Sequence, residues 1–146
     1  MALGIDHPIT EICLLVQNVE RSIAFYEKLG FKQRRRGDGF VSFTTAGFGL
    51  ALWESAHVAE NVGFPAAEID RPVHKVMTAF RVETPSIVDS IHDELVAAGI
   101  SMLGPPKTYD NWNAHCIYFA DPDGNTWEVY AWADGGEDGI KSSVWL

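Results

Sequence analysis

The chain has 146 residues, 47% of them hydrophobic, which suits one domain or two small modules that share a core. A formal net charge of −9, from 20 acidic and 11 basic residues, argues against nucleic acid as a partner, because phosphates require a basic face. No apolar run approaches the ~20 residues that span a bilayer, and the first residues do not resemble a signal peptide. We therefore expect a cytoplasmic protein that binds no membrane. Cys13 and Cys116 match no metal-binding spacing and are expected to be buried free thiols.

The first part of the chain predicts a strand, a helix and three more strands. Apolar residues alternate along the first strand and then recur at helical spacing, with Asn18 as the N-cap and Gly30 ending the helix. The basic run Arg34, Arg35 and Arg36 is interpreted as an exposed stretch of strand. The predicted elements are residues 10–16, 19–29, 31–36, 40–44 and 48–53.

Residues 54–75 have no clear periodicity and carry Gly63, Pro65 and Pro72. They are interpreted as a linker with one short helix around residues 66–69. His57 and His74 fall in this linker and are expected to be solvated.

The second part of the chain repeats the same order of elements. Thr84 caps a helix with Pro85 at its first position, and Gly99 ends that helix. The sequence DPDGNTWEVY (121–130) predicts a hairpin turn followed by a strand, in which Glu128 and Tyr130 share one face. The elements before this turn are predicted at residues 76–82, 84–98, 100–103 and 112–120.

An internal repeat unites the two parts. The strands at 11–16 and 77–82 begin 66 residues apart, and a capped helix follows each of them. The predicted fold is α+β, with two repeated βαβββ modules that form a curved, partly open mixed sheet with helices on its convex side. The modules are expected at 10–53 and 76–132, joined by the linker at 54–75 and followed by a tail at 133–146.

The chain resembles the vicinal oxygen chelate superfamily, which includes glyoxalase I, extradiol dioxygenases, and fosfomycin- and bleomycin-resistance proteins. The segment from Val19 through SIAFYEKLGF (22–31) and the segment DPDGNTWEVY carry the resemblance, which covers nearly the whole chain. It implies a trough on the concave side. Metal-binding members place one His, Gln or Glu on the first and last strand of each module. The matching positions here are Glu11, Ala51, Met77 and Glu128.

These four positions predict no standard metal site. Ala51 offers no ligand atom, and the thioether of Met77 is too soft for the hard or borderline cations such sites bind. A register slip that brought in Glu54 or His74 is the alternative. If a divalent metal is present, Glu11 and Glu128 are expected to hold it. Without a metal, the two carboxyl groups are candidates for a general acid or base, or form a structural pair with each other or with a basic side chain.

Alternation along the strands, together with the resemblance, predicts which other side chains face the trough. His115 is placed there because many relatives carry a basic residue at that point, and Trp112 is placed at the mouth. Simple core packing is the alternative for each of the aromatic residues. The predicted ligand-binding residues are Cys13, Trp53, Met77, Arg81, Trp112, His115 and Tyr130.

We expect the protein to bind a small organic ligand that is cationic, aromatic or antibiotic-like, without a cofactor and as a homodimer. The resemblance to the bleomycin-resistance type and the negative charge favour this function. Two alternatives stay open. One is a glyoxalase-like lyase, isomerase or dioxygenase with an atypical metal site, and the other is a regulatory module whose trough is vestigial.

Overall fold

A computed structural model describes residues 10–63, 65, 67, 70–71, 76–110 and 113–134. The chain divides into two compact units, Met1–Val73 and His74–Leu146. Each unit holds a four-stranded mixed sheet, so the predicted α+β class and the repeated βαβββ order are confirmed. Most of the short helix predicted around 66–69, together with His74, Trp112 and tail residues 135–146, lies outside the described residues.

The first unit contains a sheet with strand order β1-β4-β3-β2, in which β1 and β4 are parallel and the other pairs are antiparallel. Asn18 caps α1 as predicted, since its side chain accepts a hydrogen bond from the backbone N–H of Arg21 at 2.9 Å. The elements are β1 Glu11–Val16, α1 Val19–Lys28, β2 Lys32–Gly37, β3 Phe40–Thr44, β4 Gly49–Glu54 and α2 Ser55–Val62.

Helix α1 covers one side of the first sheet. Its buried Tyr26 packs against Phe43 of β3, with ring centroids 5.7 Å apart. Alternation along the strands sends every second side chain to this side, as the sequence predicted. The buried side chains that line it are Leu14, Val16, Val41, Phe43, Leu50 and Leu52.

Helix α2 lies where the sequence predicted the start of a linker. It follows β4 without a loop and ends at Gly63, whose φ of 91° is left-handed. No side chain caps its first turn, and Ser55 and Val58 are its buried residues. The prediction of an irregular segment here was wrong. The segment has too few apolar residues to show helical periodicity, and packing against β4 supplies the stability that its own sequence lacks.

The second unit repeats the arrangement, with strand order β5-β8-β7-β6 and a parallel β5–β8 pair. Thr84 caps its helix, and Pro85 occupies the first position as predicted. The strand predicted at 100–103 is reduced to an isolated bridge between Met102 and Phe119. The elements are β5 Met77–Arg81, α3 Pro85–Ala97, β6 Lys107–Tyr109, β7 Ala114–Ala120 and β8 Thr126–Trp132.

The edge strand β6 begins only after Gly104, Pro105 and Pro106. Gly104 has a φ of 100°, which turns the chain, and proline has no N–H to donate to a ladder. Pairing with β7 therefore starts at Lys107, opposite Cys116.

The turn between β7 and β8 is built around Asp121, which is 5% exposed. Its Oδ1 accepts from the backbone N–H groups of Asp123 and Asn125 at 2.9 and 2.8 Å, and its Oδ2 accepts from Asn125 Nδ2 at 2.8 Å. Gly124 adopts a φ of 85°, as the predicted turn requires. No described helix is long and apolar enough to cross a membrane.

Candidate functional site

Each sheet has one side opposite its long helix, and these two sides carry most of the predicted site residues. Face 1 is the side of the first sheet opposite α1, and face 2 is the side of the second sheet opposite α3. Face 1 includes Glu11, Cys13, Leu15, Phe40, Ser42, Gly49, Ala51 and Trp53. Face 2 includes Met77, Ala79, Arg81, Ala114, Cys116, Tyr118, Ala120, Thr126, Glu128, Tyr130 and Trp132.

Face 1 places Glu11 and Cys13 next to each other on β1. The Glu11 carboxylate lies over Gly49, where an added Cβ would come within 3.4 Å of Glu11 Oε2. Burial raises the pKa of the Cys13 thiol to about 11, and the charge of Glu11 acts in the same direction. Cys13 is thus a neutral thiol at physiological pH, so it can pack against a ligand but is a poor nucleophile.

Trp53 lies on face 1, and its indole is held by a histidine that was expected to be solvated. The Nε1–H of Trp53 donates a hydrogen bond to Nδ1 of His57 at 2.8 Å, and the ring centroids are 6.1 Å apart. His57 is half-buried on α2, so the prediction of a solvated loop histidine was wrong. Trp53 is next to the last residue of β4 and His57 is the third residue of α2, so a helix predicted directly after β4 would have been the sequence signal that brings them together.

Glu54 does not belong to face 1. Its Oε2 accepts a hydrogen bond from the backbone N–H of Val19 at 3.0 Å, at the start of α1. The carboxylate therefore satisfies a free N–H group at a helix N-terminus, where a negative charge is stabilising. The register slip that would have made Glu54 a metal ligand does not occur.

Face 2 is lined with aromatic residues around one carboxylate. Tyr118 lies directly opposite Glu128 in the β7–β8 ladder, and the two side chains form a hydrogen bond. Burial raises the pKa of the Tyr118 hydroxyl, and the bond with Glu128 raises it further, so Tyr118 stays a neutral donor. Tyr130 and Trp132 pack edge to face with centroids 5.2 Å apart.

Further aromatic and charged groups extend face 2 to both edge strands. On β6, Tyr109 packs edge to face against Tyr118 at 6.4 Å, and Lys107 Nζ lies 4.8 Å from the centroid of the Tyr109 ring. On β5, Met77 and Arg81 are both exposed. Tyr109, Tyr118 and Trp132 were not among the residues predicted for the site from the sequence.

His115 does not face the same way as Glu128, so its predicted orientation was wrong. It shares the α3 side of the sheet with Ile117 and Phe119, and its side chain is 14% exposed. Its Nε2 lies 2.7 Å from Oδ1 of Asp89 on α3, and its Nδ1 lies 2.8 Å from the hydroxyl of Thr108. Ala120 pairs with Thr126 at the turn, so two residues further from the turn Tyr118 stands opposite Glu128 and shares its face.

The residues present do not fit the metal site of the family pattern. In the first unit, Glu11 is matched by Ala51, which is fully buried and has no ligand atom. In the second unit, Glu128 is matched by Met77, a soft thioether. Over the described parts of the chain, no group of three or more His, Cys, Asp or Glu side chains is placed to hold a metal ion. Each unit offers one carboxylate that a divalent ion would use.

Comparison with known proteins agrees with this fold. The family model described as "Glyoxalase/Bleomycin resistance protein/Dioxygenase superfamily" matches residues 4–129. The chain is 28% identical to the metallothiol transferase FosB of Lysinibacillus sphaericus over 123 residues, which is 84% of this chain and 80% of FosB.

Two solved structures have closely similar folds. A glyoxalase/bleomycin resistance protein/dioxygenase from Nocardioides is 38% identical, with a TM-score of 0.80 over 90% of this chain and 88% of that one. A glyoxalase-related enzyme from Fulvimarina pelagi is 30% identical, with a TM-score of 0.72 over 85% and 87%. The chain therefore belongs to the glyoxalase/bleomycin resistance protein/dioxygenase superfamily, the vicinal oxygen chelate superfamily that the sequence resembles.

Proposed function

We propose that this protein binds a small organic ligand that carries an aromatic ring and a positive charge, and that it does so without a standard metal site. The observation that carries the proposal is face 2, where half-buried Tyr118, Tyr130 and Trp132 lie on the same side of the sheet as the carboxylate of Glu128. Aromatic walls with a few fixed polar groups are typical of sites for organic molecules.

Two features of face 2 attract a cation, its aromatic rings and the carboxylate of Glu128, while Arg81 and Lys107 lie on its two edge strands. The face of an aromatic ring attracts a positive charge by ~0.5–2 kcal/mol, depending on how far the charge is removed from water. Glu128 supplies the opposite charge, and the Tyr118 hydroxyl orients that carboxylate by donating to it. Face 1, taken by itself, offers the indole of Trp53 and the neutral thiol of Cys13 to an organic molecule.

Calorimetric titration with 1-methylquinolinium and with quinoline, its uncharged analogue, tests the proposal. We expect the cation to bind the purified protein about 5–30-fold more tightly than quinoline, as a cation–π contact and one carboxylate allow. Glu128→Gln removes the charge and should remove most of this preference. Glu94→Gln, an exposed change on α3, is the matched control. Equal binding of the two probes to the wild-type protein would refute a site for cations.

The alternative function is a metal-dependent enzyme that uses Glu11 and Glu128 as ligands or as acid–base groups. The similarity to FosB, whose name describes a metallothiol transferase, favours this alternative. Metal analysis of the protein as purified is the first test, and less than one equivalent of transition metal is expected. Consumption of a thiol with fosfomycin in the presence of Mn²⁺, lost in Glu128→Gln, would establish the enzyme instead.

We also propose that the functional unit is a homodimer. The edge strand β5 and the residue before it expose Val76 at 60% and Met77 at 53%, and an apolar sheet edge of this kind favours pairing with another chain. Light scattering should give twice the chain mass. Val76→Lys is expected to shift the protein towards the monomer, whereas Val62→Lys, at a similarly exposed position on α2, should leave the dimer intact.

A further inference from the structure

We infer that His57 is a positioning and specificity residue of face 1. His57 accepts the hydrogen bond of the Trp53 indole N–H, so this N–H cannot bind a ligand. A ligand on face 1 would then contact the ring surface of the indole and the Nε2–H of the imidazole. The inference rests on the proposed function, and it adds the chemical class of the ligand group that face 1 accepts. This role was not predicted, because His57 falls in a segment that was interpreted as a linker with a solvated histidine.

The hydrogen bond between the two rings decides the tautomer of His57. The indole Nε1–H of Trp53 is a donor only, so Nδ1 of His57 must accept across the 2.8 Å that separates them. A neutral imidazole that accepts at Nδ1 carries its proton on Nε2. The ring planes are tilted by 54°, so the contact is a directed hydrogen bond and not a stacked pair.

Local structure holds His57 in this position. β4 continues into α2 without a loop, which places His57 on the first turn after the strand that carries Trp53. The imidazole packs beside the β2–β3 turn, where a Cβ added at Gly39 would lie 3.0 Å from His57 Cβ. The backbone N–H of Glu54 donates to the carbonyl of Gly39 at 2.7 Å, and Asn61 Nδ2 donates to the carbonyl of His57 at 2.8 Å. Turn, strand and helix are therefore tied together around the imidazole.

The remaining donor of His57 is available to a ligand. No residue in the described part of the chain accepts a hydrogen bond from Nε2, and the side chain is half-buried. Because the indole N–H is already used, Nε2–H is the donor that the Trp53–His57 pair offers. The ligand class that suits the pair is an aromatic ring that bears a carbonyl or carboxylate oxygen.

Two substitutions separate the two roles of His57. The Oδ1 of asparagine lies close to the position of Nδ1, so His57→Asn keeps an acceptor for Trp53 and loses the Nε2–H donor. Glutamine reaches the position of Nε2, so His57→Gln keeps a donor there and loses the acceptor at Nδ1. His92→Asn on α3 is the control, because that histidine lies next to Asp93 in the second unit.

Nitrogen-15 NMR of the full chain tests the contact without any ligand. The imidazole of His57 should show the Nε2–H tautomer, and the Trp53 indole N–H, assigned with Trp53→Phe, should exchange slowly with water. His57→Gln should shift this signal and speed its exchange at least tenfold, whereas His57→Asn and His92→Asn should change it little. An indole N–H that exchanges equally fast in wild type and His57→Gln would overturn the inference.

Titration with 1-methylnicotinamide and 1-methylpyridinium, followed by the Trp53 indole signal, tests the specificity. The two probes differ by one carbamoyl group, so the wild type should prefer 1-methylnicotinamide by about 2–12-fold, the value of one hydrogen bond. His57→Asn should abolish this preference, and His57→Gln should retain it. Binding of both probes with equal affinity would refute the role of His57 while the proposed function stands. Binding of neither probe would refute the proposed function and this role together.

Discussion

Substitution of Asp121 is expected to destabilise the second unit more than substitution of any other residue in the β7–β8 turn. Asp121 is 5% exposed. Its carboxylate accepts hydrogen bonds from the backbone N–H groups of Asp123 and Asn125 and from the side-chain amide of Asn125. Asp121→Ala removes all of these acceptors at once. The turn fixes which residues of β7 and β8 stand opposite each other, so its loss also weakens the pairing of Tyr118 with Glu128.

The magnitude follows from the number of hydrogen bonds and from the exposure of the donors. A hydrogen bond to a charged group contributes about 1.5–3 kcal/mol, but such bonds are not additive within one network. Asp123 and Asn125 are half-exposed, so water replaces part of what the carboxylate supplied. We therefore expect Asp121→Ala to lower the free energy of unfolding by about 2–4 kcal/mol. Asp121→Asn keeps one oxygen acceptor and should cost roughly half as much.

Equilibrium unfolding in urea, followed by tryptophan fluorescence, measures this change. Asp38 is an exposed acid in the β2–β3 turn, and Asp38→Asn is the control for Asp121→Asn because it makes the same chemical change without these hydrogen bonds. It should alter the free energy of unfolding by less than about 0.5 kcal/mol. A decrease below about 1 kcal/mol for Asp121→Ala would contradict the role assigned to the carboxylate.

Four further predictions concern Tyr118, Cys13 and Glu54. In an ultraviolet pH titration assigned with Tyr118→Phe, Glu128→Gln should lower the raised pKa of Tyr118. It should not restore the ordinary value, since burial is the larger cause, and a full return would contradict that cause. Because the folded state holds this proton more tightly, the stability that Tyr118 contributes should be constant below about pH 10 and decline above it. With a pKa of about 11, Cys13 should be about one part in a thousand thiolate at pH 8 and react slowly with disulfide reagents, and fast labelling of the native protein would refute this. Glu54→Ala should cost about 1 kcal/mol in urea unfolding because the N–H of Val19 loses its acceptor, whereas Glu54→Gln should cost much less.

Local patterns in the sequence determined most of the fold. Asn18 and Thr84 were recognisable as helix caps because a cap needs only its own side chain and an N–H group a few residues away. Alternation identified the buried side of each sheet for the same reason, since a strand exposes every second residue to the same environment. The repeat predicted the βαβββ order, and the resemblance of two segments indicated the family. Glu11 and Glu128 lie on faces 1 and 2, opposite the long helices, as predicted.

The identity of the site residues depended on contacts between segments that are distant in sequence. His115 and Tyr118 are both plausible on the face of Glu128 until the Asp121 turn sets the register, and a shift of one residue exchanges them. The arginine run shows the same dependence, because a register shift between Gln33 and Arg35 turns Arg36 towards α1. There it binds Glu20, and it also donates to the carbonyl of Phe40 at 2.9 Å.

The sequence by itself determined the repeated module, its caps and its turn, because neighbouring residues encode them. Only the tertiary structure made Ser55–Val62 a helix, brought His57 to Trp53 and placed Tyr118 against Glu128. The physical reason is that a short segment with few apolar residues gains its stability from the sheet it packs on. The direction of a strand side chain is likewise set by hydrogen bonds to its partner strand.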